Sequence, residues 1–386
     1  MNQIDKGRLD DRLAAAQTPR EAAIVLALHA EDQARMGHAD AAREALERAR
    51  RALGGRTDVS ANSTILIAEA HLQLLRDPVA ARLTLARASA IARAADVDDP
   101  CAYAQAWLAQ IDEDRFDVGA SLQSLGLAFA HLRESNLRAK ARIAVVVAFW
   151  RFHAGDAAGA LAWLESARRL AASESDTVMN SAVMAHNATV RVGQLRLQEL
   201  MQPAAGPSLA QAEMTVQSSL NFDRVLDAET LSWCGPLLLA DVKVRQGAFG
   251  EALALYRAHL DSGASGINVA AFESTVHAEV AWCLHHLGRS AEVVPALREA
   301  EATMHLTPQL DERVVMLGRM ATLYDAAGLP AKAEQHRRQR EVEMAALLAL
   351  RERIESELGA LLARHGVGGP WPLPQRAQEP TAGYAA

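Results

Sequence analysis

Aromatic residues make up only 4% of this chain of 386 residues, although 50% of it is hydrophobic. Alanine and leucine must therefore supply most of the core. Long alternating β-branched runs are also scarce, which argues against a sheet-built core and predicts an all-α fold. Lysine occurs four times, as Lys6, Lys140, Lys243 and Lys332, so of the 40 lysines and arginines nearly all are arginine. The formal net charge is -7 with both signs interspersed, so there is no general attraction to nucleic acid. The 3 cysteines, Cys101, Cys234 and Cys283, lie far apart. Such a set forms no disulfide framework and suits buried thiols in a reducing cytoplasm. No segment approaches a charge-free membrane span, and the opening MNQIDKGRLDDRL has no apolar core of a leader peptide. We expect no membrane association.

Motifs that carry chemistry are missing as well. HExxH, GxSxG, GxxxxGK[ST] and CxxC do not occur. Cys283 and His286 share a helix face, but two ligands fall short of the three or four that zinc takes. The run Asp112-Glu113-Asp114 sits at a predicted helix end and reads as solvated surface. HRRQR (His336 to Arg340) is too short, and too soon followed by glutamates, for a nucleic-acid stripe. No catalytic residue, metal site or cofactor is predicted.

What is present is a period. Gly37, Gly155, Gly247, Gly288 and Gly328 each lie between two helix-like apolar patterns, at multiples of roughly 40 residues. Seven residues before them stand Ala30, Ala148, Ala240, Ala281 and Ala321. Five residues after them stand Ala42, Ala160, Ala252, Val293 and Ala333. Small residues there let two helices of a hairpin close up, and a turn glycine takes the positive φ that ends the first helix. Two further units lack the glycine: Arg76 as marker places Ala81 and Ala88, and Asp114 places Gly119 and Gly126.

This signature resembles the tetratricopeptide repeat. GAFGEALALYRAHL (Gly247 to Leu260) fits best, then GHADAAREALERAR and GDAAGALAWLESAR. The resemblance implies a right-handed α-solenoid of about eight helical hairpins over residues 1–330. Units near 40 residues exceed the usual length of roughly 34 for this family, which implies longer helices. Such long-helix units are similar to those of MalT-like bacterial transcription activators and of sensor regions that precede diguanylate cyclase domains. No GGDEF motif follows, so cyclase activity is not implied.

Between Gly155 and Gly247 the spacing slips. We expect a helix near Thr177 to Met201, a loop at QPAAGPS with a turn at Pro207, and a helix from Leu209 to about Leu220. A rival register takes Gly193 as the turn. At the other end, residues 331–365 read as one unbroken helix, and 366–386 as a disordered Pro/Gly-rich tail. Leu347, Leu350, Ile354, Leu358 and Leu361 form a heptad-like stripe on that helix. Two readings fit: a cap folded over the last unit, or a coiled coil joining two chains into a homodimer.

The resemblance also implies that the first helix of each hairpin lines an inner groove. Counting back from the markers gives Leu108, Ile111 and Asp112 in the third unit. It also gives Arg142, Phe149, Phe152 and His153 in the fourth, Asp241 and Arg245 later, and then Trp282, His285 and His286. Mixed aromatics and charges suit a protein or peptide segment, the aromatics as anchors and the charges setting register. The same aromatics also fit packing between repeats. The expected function is a non-catalytic binding scaffold or sensory module. The alternative is an oligomerising signalling module that uses the leucine stripe.

Overall fold

The computed structural model describes residues 3–74, 76–201, 208–228, 234–262 and 267–372. Among them there are seventeen α-helices and no strand. Helix α1 (Gln3–Ala15) precedes eight hairpins. The first four are α2 (Pro19–Met36) with α3 (Ala39–Leu53), α4 (Val59–Leu74) with α5 (Pro78–Ala94), α6 (Asp98–Asp114) with α7 (Val118–Ala130), and α8 (Leu137–His153) with α9 (Ala157–Ser173). The others are α10 (Thr177–Met201) with α11 (Leu209–Leu226), α12 (Cys234–Arg245) with α13 (Phe249–Asp261), α14 (Ile267–His286) with α15 (Ser290–Thr303), and α16 (Leu310–Ala326) with α17 (Pro330–Arg364). The chain is an α-solenoid.

The five marker glycines take φ between 72° and 94°, as a left-handed helix end requires. Several helices start on side-chain caps or prolines. Asp77, Asp117 and Asp156 accept from the amides of Ala80, Ala120 and Gly159, while Pro19, Pro78 and Pro330 open α2, α5 and α17. The alanines seven before the glycines, and the small residues five after them, are buried. They form the crossings as expected.

The third hairpin corrects the register. Its turn residue is Phe116, at φ 60°, two places beyond the expected Asp114. The crossing is made by Ala109, Ser121 and Ala128, all fully buried, while Gly119 is exposed and Gly126 half-buried. Ser121 Oγ donates to Ala109 O at 2.8 Å and accepts from Trp150 Nε1 at 2.8 Å. An aromatic occupies a glycine-like turn because its ring packs edge-on against Trp150 and His153. The acidic run is likewise not simple surface: Asp112 pairs with Arg82 and Glu113 with His153, both carboxylates being buried.

Helix α10 is continuous, so Gly193 is no turn. A Cβ there would stand 2.5 Å from Phe152 Cζ, so the glycine is a seat for that ring. Helix α11 runs on to Leu226, past the expected end, and Pro207 lies outside the described residues.

Helix α17 has 35 residues against 17 in α16, a difference of ~27 Å at 1.5 Å per residue. It therefore overshoots its hairpin partner and crosses to α7 and α8. Ile354, Leu358, Leu361 and Leu362 join the core of α7, α8 and α9, Leu347 is buried, and Leu350 packs partly buried on that core. The stripe from Leu350 to Leu361 is thus packed on its own chain, on the middle hairpins. Residues 366–372 continue this seat. Trp371 meets Trp163 edge-on at 5.4 Å, its carbonyl accepts from Ser166 Oγ at 2.9 Å, and His365 stacks on Phe129.

Candidate functional site

On α6, Tyr103, Trp107, Gln110 and Asp114 recur at steps of four, three and four, which puts them on one helix face. Arg138 and Arg142 are placed in the same way on α8, Glu31 and Arg35 on α2, and Ala182 and His186 on α10. The superhelix brings α2 against α10, and these faces enclose a groove in two parts. A chamber of about 480 Å³ is bordered by Arg12, His29, Asp32, Arg138 and Asp176. A narrower slot of about 170 Å³ is walled by Leu74, Trp107, Gln110, Arg142, His186 and Leu226. Met36 and Val178 border both.

Glu31 is the centre of the groove's ionic network. Its Oε1 accepts from the Tyr103 hydroxyl at 2.5 Å and lies 3.5 Å from Arg138 and 3.7 Å from Arg35. Burial works against its charge, but Arg138 foremost, with His71 and Arg35, holds its pKa down to about 2. Asp32 and Asp176 share Arg138 at 3.1 and 3.7 Å. Burial, aided by repulsion from Asp176 and Glu31, pushes Asp32 up to about 7 despite Arg138. His71 is brought down to about 4 by burial, and its Nδ1 donates to Ile67 O at 2.8 Å. His186 falls to about 3 through burial and then the charges of Arg142 and Arg35.

Arg142 differs from its neighbours. Its guanidinium carbon lies over the Trp107 ring, 3.7 Å from the centroid, and Nη2 reaches Met179 Sδ at 3.4 Å. It is 2% exposed, yet among the described residues it has no carboxylate partner. Burial, then Arg35, depresses its pKa to about 10. Four polar atoms of slot residues are buried without a hydrogen-bond partner: His71 Nε2, Trp107 Nε1, Gln110 Oε1 and Arg142 Nε.

The residues expected to line one continuous surface are divided among several places. Arg142 is in the slot, and Phe149 stands behind it, edge-on to His186 at 4.9 Å. Phe152 is packed on Gly193, and His153 Nε2 is 3.0 Å from Glu113 Oε1. Asp241 is committed internally: it accepts from Arg196 Nε at 2.5 Å and from the Tyr256 hydroxyl at 2.6 Å, and Arg245 donates to its carbonyl. Arg196 also pairs with Glu312, which ties α10 to α16. Trp282 lies under the Arg319 guanidinium at 5.1 Å. His286 stacks on Phe249 at 4.2 Å on an exposed edge, beside half-buried His285. Sequence reasoning missed Gln110 and Asp114 because the marker was two places early, and Trp107 because it falls at none of the counted places. Counted from Phe116, the residues at the groove-facing places are Gln110, Glu113 and Asp114, and two of these three line the slot.

Among the described residues no cluster of three or more His, Cys, Asp and Glu could hold a metal ion, and no helix is long and apolar enough to cross a membrane. No protein-family model and no curated protein matches the sequence. The fold is similar to the crystal structure of a Rap protein complexed with competence and sporulation factor. The likeness has a TM-score of 0.50 at 12% identity and covers 90% of this chain and 99% of that one. The fold is a tetratricopeptide-like solenoid.

Proposed function

We propose that the chain is a non-catalytic, cytoplasmic binding module of the sensor or regulator type, which takes a peptide segment into the groove between α2, α4, α6, α8 and α10. The observation that carries this is the set of orphaned buried polar atoms on slot residues, His71 Nε2, Trp107 Nε1, Gln110 Oε1 and Arg142 Nε. Buried polar groups are nearly always satisfied, and a peptide brings both acceptors and amide donors. Apolar walls from Leu74, Met36, Val178 and Leu226 would hold a side chain beside them. The Rap protein's structure is that of a complex with a factor, which favours ligand binding in such a fold. An occupant would bridge α2, α6, α8 and α10, and so bias the superhelical pitch on which α17 is seated.

Selection from a displayed random heptapeptide library tests the proposal, with wild type and Trp107→Ala as parallel baits. Sequences enriched on wild type and lost on an equally stable variant are expected. Enrichment that is the same on both baits would refute the groove as the site. Oligomerisation through the leucine stripe is not favoured, since the stripe is buried within the chain.

A further inference from the structure

Resting on that reading, we infer that the groove captures a peptide by its free C-terminal carboxylate, which pairs with Arg142 while the last residue's apolar side chain fills the slot. The argument begins with charge. A buried guanidinium without a counter-ion is strongly unfavourable, and stacking on an aromatic ring recovers only part of that cost. The nearby carboxylates are engaged elsewhere. Glu31, Asp32 and Asp176 face Arg35 and Arg138. Asp114 accepts from Gln110 Nε2 at 3.2 Å, and Asp223 accepts from Ser181. Among the described residues Arg142 is left with a ring, a sulfur atom, the like charge of Arg35 and attraction from Glu31, Asp176 and Asp114 that none of them closes into an ion pair.

The remaining orphan atoms specify what should arrive. Arg142 Nε and Trp107 Nε1 are donors and ask for acceptor oxygens; Gln110 Oε1 and His71 Nε2, whose ring donates to Ile67 O through Nδ1, are acceptors and ask for N–H groups. The last residue of a peptide carries two carboxylate oxygens, an amide N–H and a side chain on adjacent atoms. The slot, at about 170 Å³, is below the roughly 300 Å³ at which drug-sized sites begin, so it admits one residue. A mid-chain aspartate or glutamate would have to lead the chain in and out of the same space. A terminus needs only one path, and the adjoining chamber of about 480 Å³ supplies it for the preceding residues.

The test uses minimal probes on the full chain labelled at the tryptophan indole nitrogens, with the Trp107 signal assigned through Trp107→Phe. N-acetyl-leucine should shift that signal saturably, and N-acetyl-leucinamide should bind at least tenfold more weakly. Arg142→Gln should lower the acid's affinity to that of the amide. Arg142→Met, which replaces the charge with a packing side chain, should do the same and guards against a folding artefact. Equal binding of acid and amide at the Trp107 signal would overturn the carboxylate anchor and leave the groove as a peptide site. No shift from either probe would overturn both. If N-acetyl-aspartate methylamide binds as tightly as N-acetyl-leucine, the anchor takes side-chain carboxylates and the assignment of a chain terminus fails.

Discussion

Replacing Ile354 and Leu358 by alanine should release the distal half of α17 while leaving the repeats folded. Both side chains are 0% exposed and are packed into the core of α7, α8 and α9. Each change removes three carbons, about 2.4 kcal/mol at ~0.8 kcal/mol per buried methylene, and incomplete collapse of the cavity raises this to about 3–4 kcal/mol. The two sites are a helical turn apart, so their sum of about 6–8 kcal/mol need not be strictly additive. The loss should stay local. The proximal half of α17 keeps Ala333 in the core, His336 on Glu301 at 2.8 Å and Glu343 on Arg313 at 2.5 Å. Repeat arrays are stabilised mainly between neighbours, so the hairpins lose little. Amide hydrogen exchange across 350–364 should lose at least a hundredfold in protection, about 2.7 kcal/mol. Leu348→Ala, at a 44% exposed position, is the control and should change nothing. The reasoning fails if Ile354→Ala/Leu358→Ala retains native protection there. It fails equally if wild type sediments as a dimer that the double variant dissociates, since the stripe would then join two chains.

Gly193→Val should unseat the Phe152 ring, whose Cζ would lie 2.5 Å from the new Cβ, and cost about 1–3 kcal/mol in urea denaturation. Asp241→Asn removes the charge that Arg196 and Tyr256 converge on, and should cost about 3–5 kcal/mol by the same measurement; a neutral result would mean Glu312 alone satisfies Arg196. Acidification should weaken the fold through His71, which is flanked by Glu31, Arg35 and Arg142. Its folded pKa of about 4 is below the unfolded value of 6.5, so the unfolded chain binds more protons between them. The His71 contribution is complete above pH 6.5 and is lost as pH falls toward 4, about 2 kcal/mol of it by pH 5. Urea midpoints at pH 7.5 and 5 should diverge less in His71→Leu than in wild type.

Much of this architecture is legible because it is local. A glycine that must adopt positive φ at a helix end, an alanine seven places earlier and a small residue five places later are each fixed by one hairpin's own geometry. Ala30, Ala148, Ala240 and Ala281 accordingly lie fully buried at crossings read from spacing alone. Even Thr177 and Met201, the ends of the longest irregular helix before α17, follow from unbroken periodicity. The third hairpin was misplaced because Phe116 takes a left-handed turn that its residue type does not announce. It is held there by Trp150 and His153, which lie more than thirty positions away. The groove is a longer-range product still. That α2 meets α10, or that Leu358 on α17 lands on α7 and α8, depends on small rotations summed over several hairpins, and no pair of neighbouring residues encodes that sum. Composition and period thus determine a helical solenoid with an inner face. Only the superhelix determines that Arg142 on that face is buried beside Trp107 with no carboxylate partner among the described residues, because being unpaired is a property of everything around a residue and not of the residue itself.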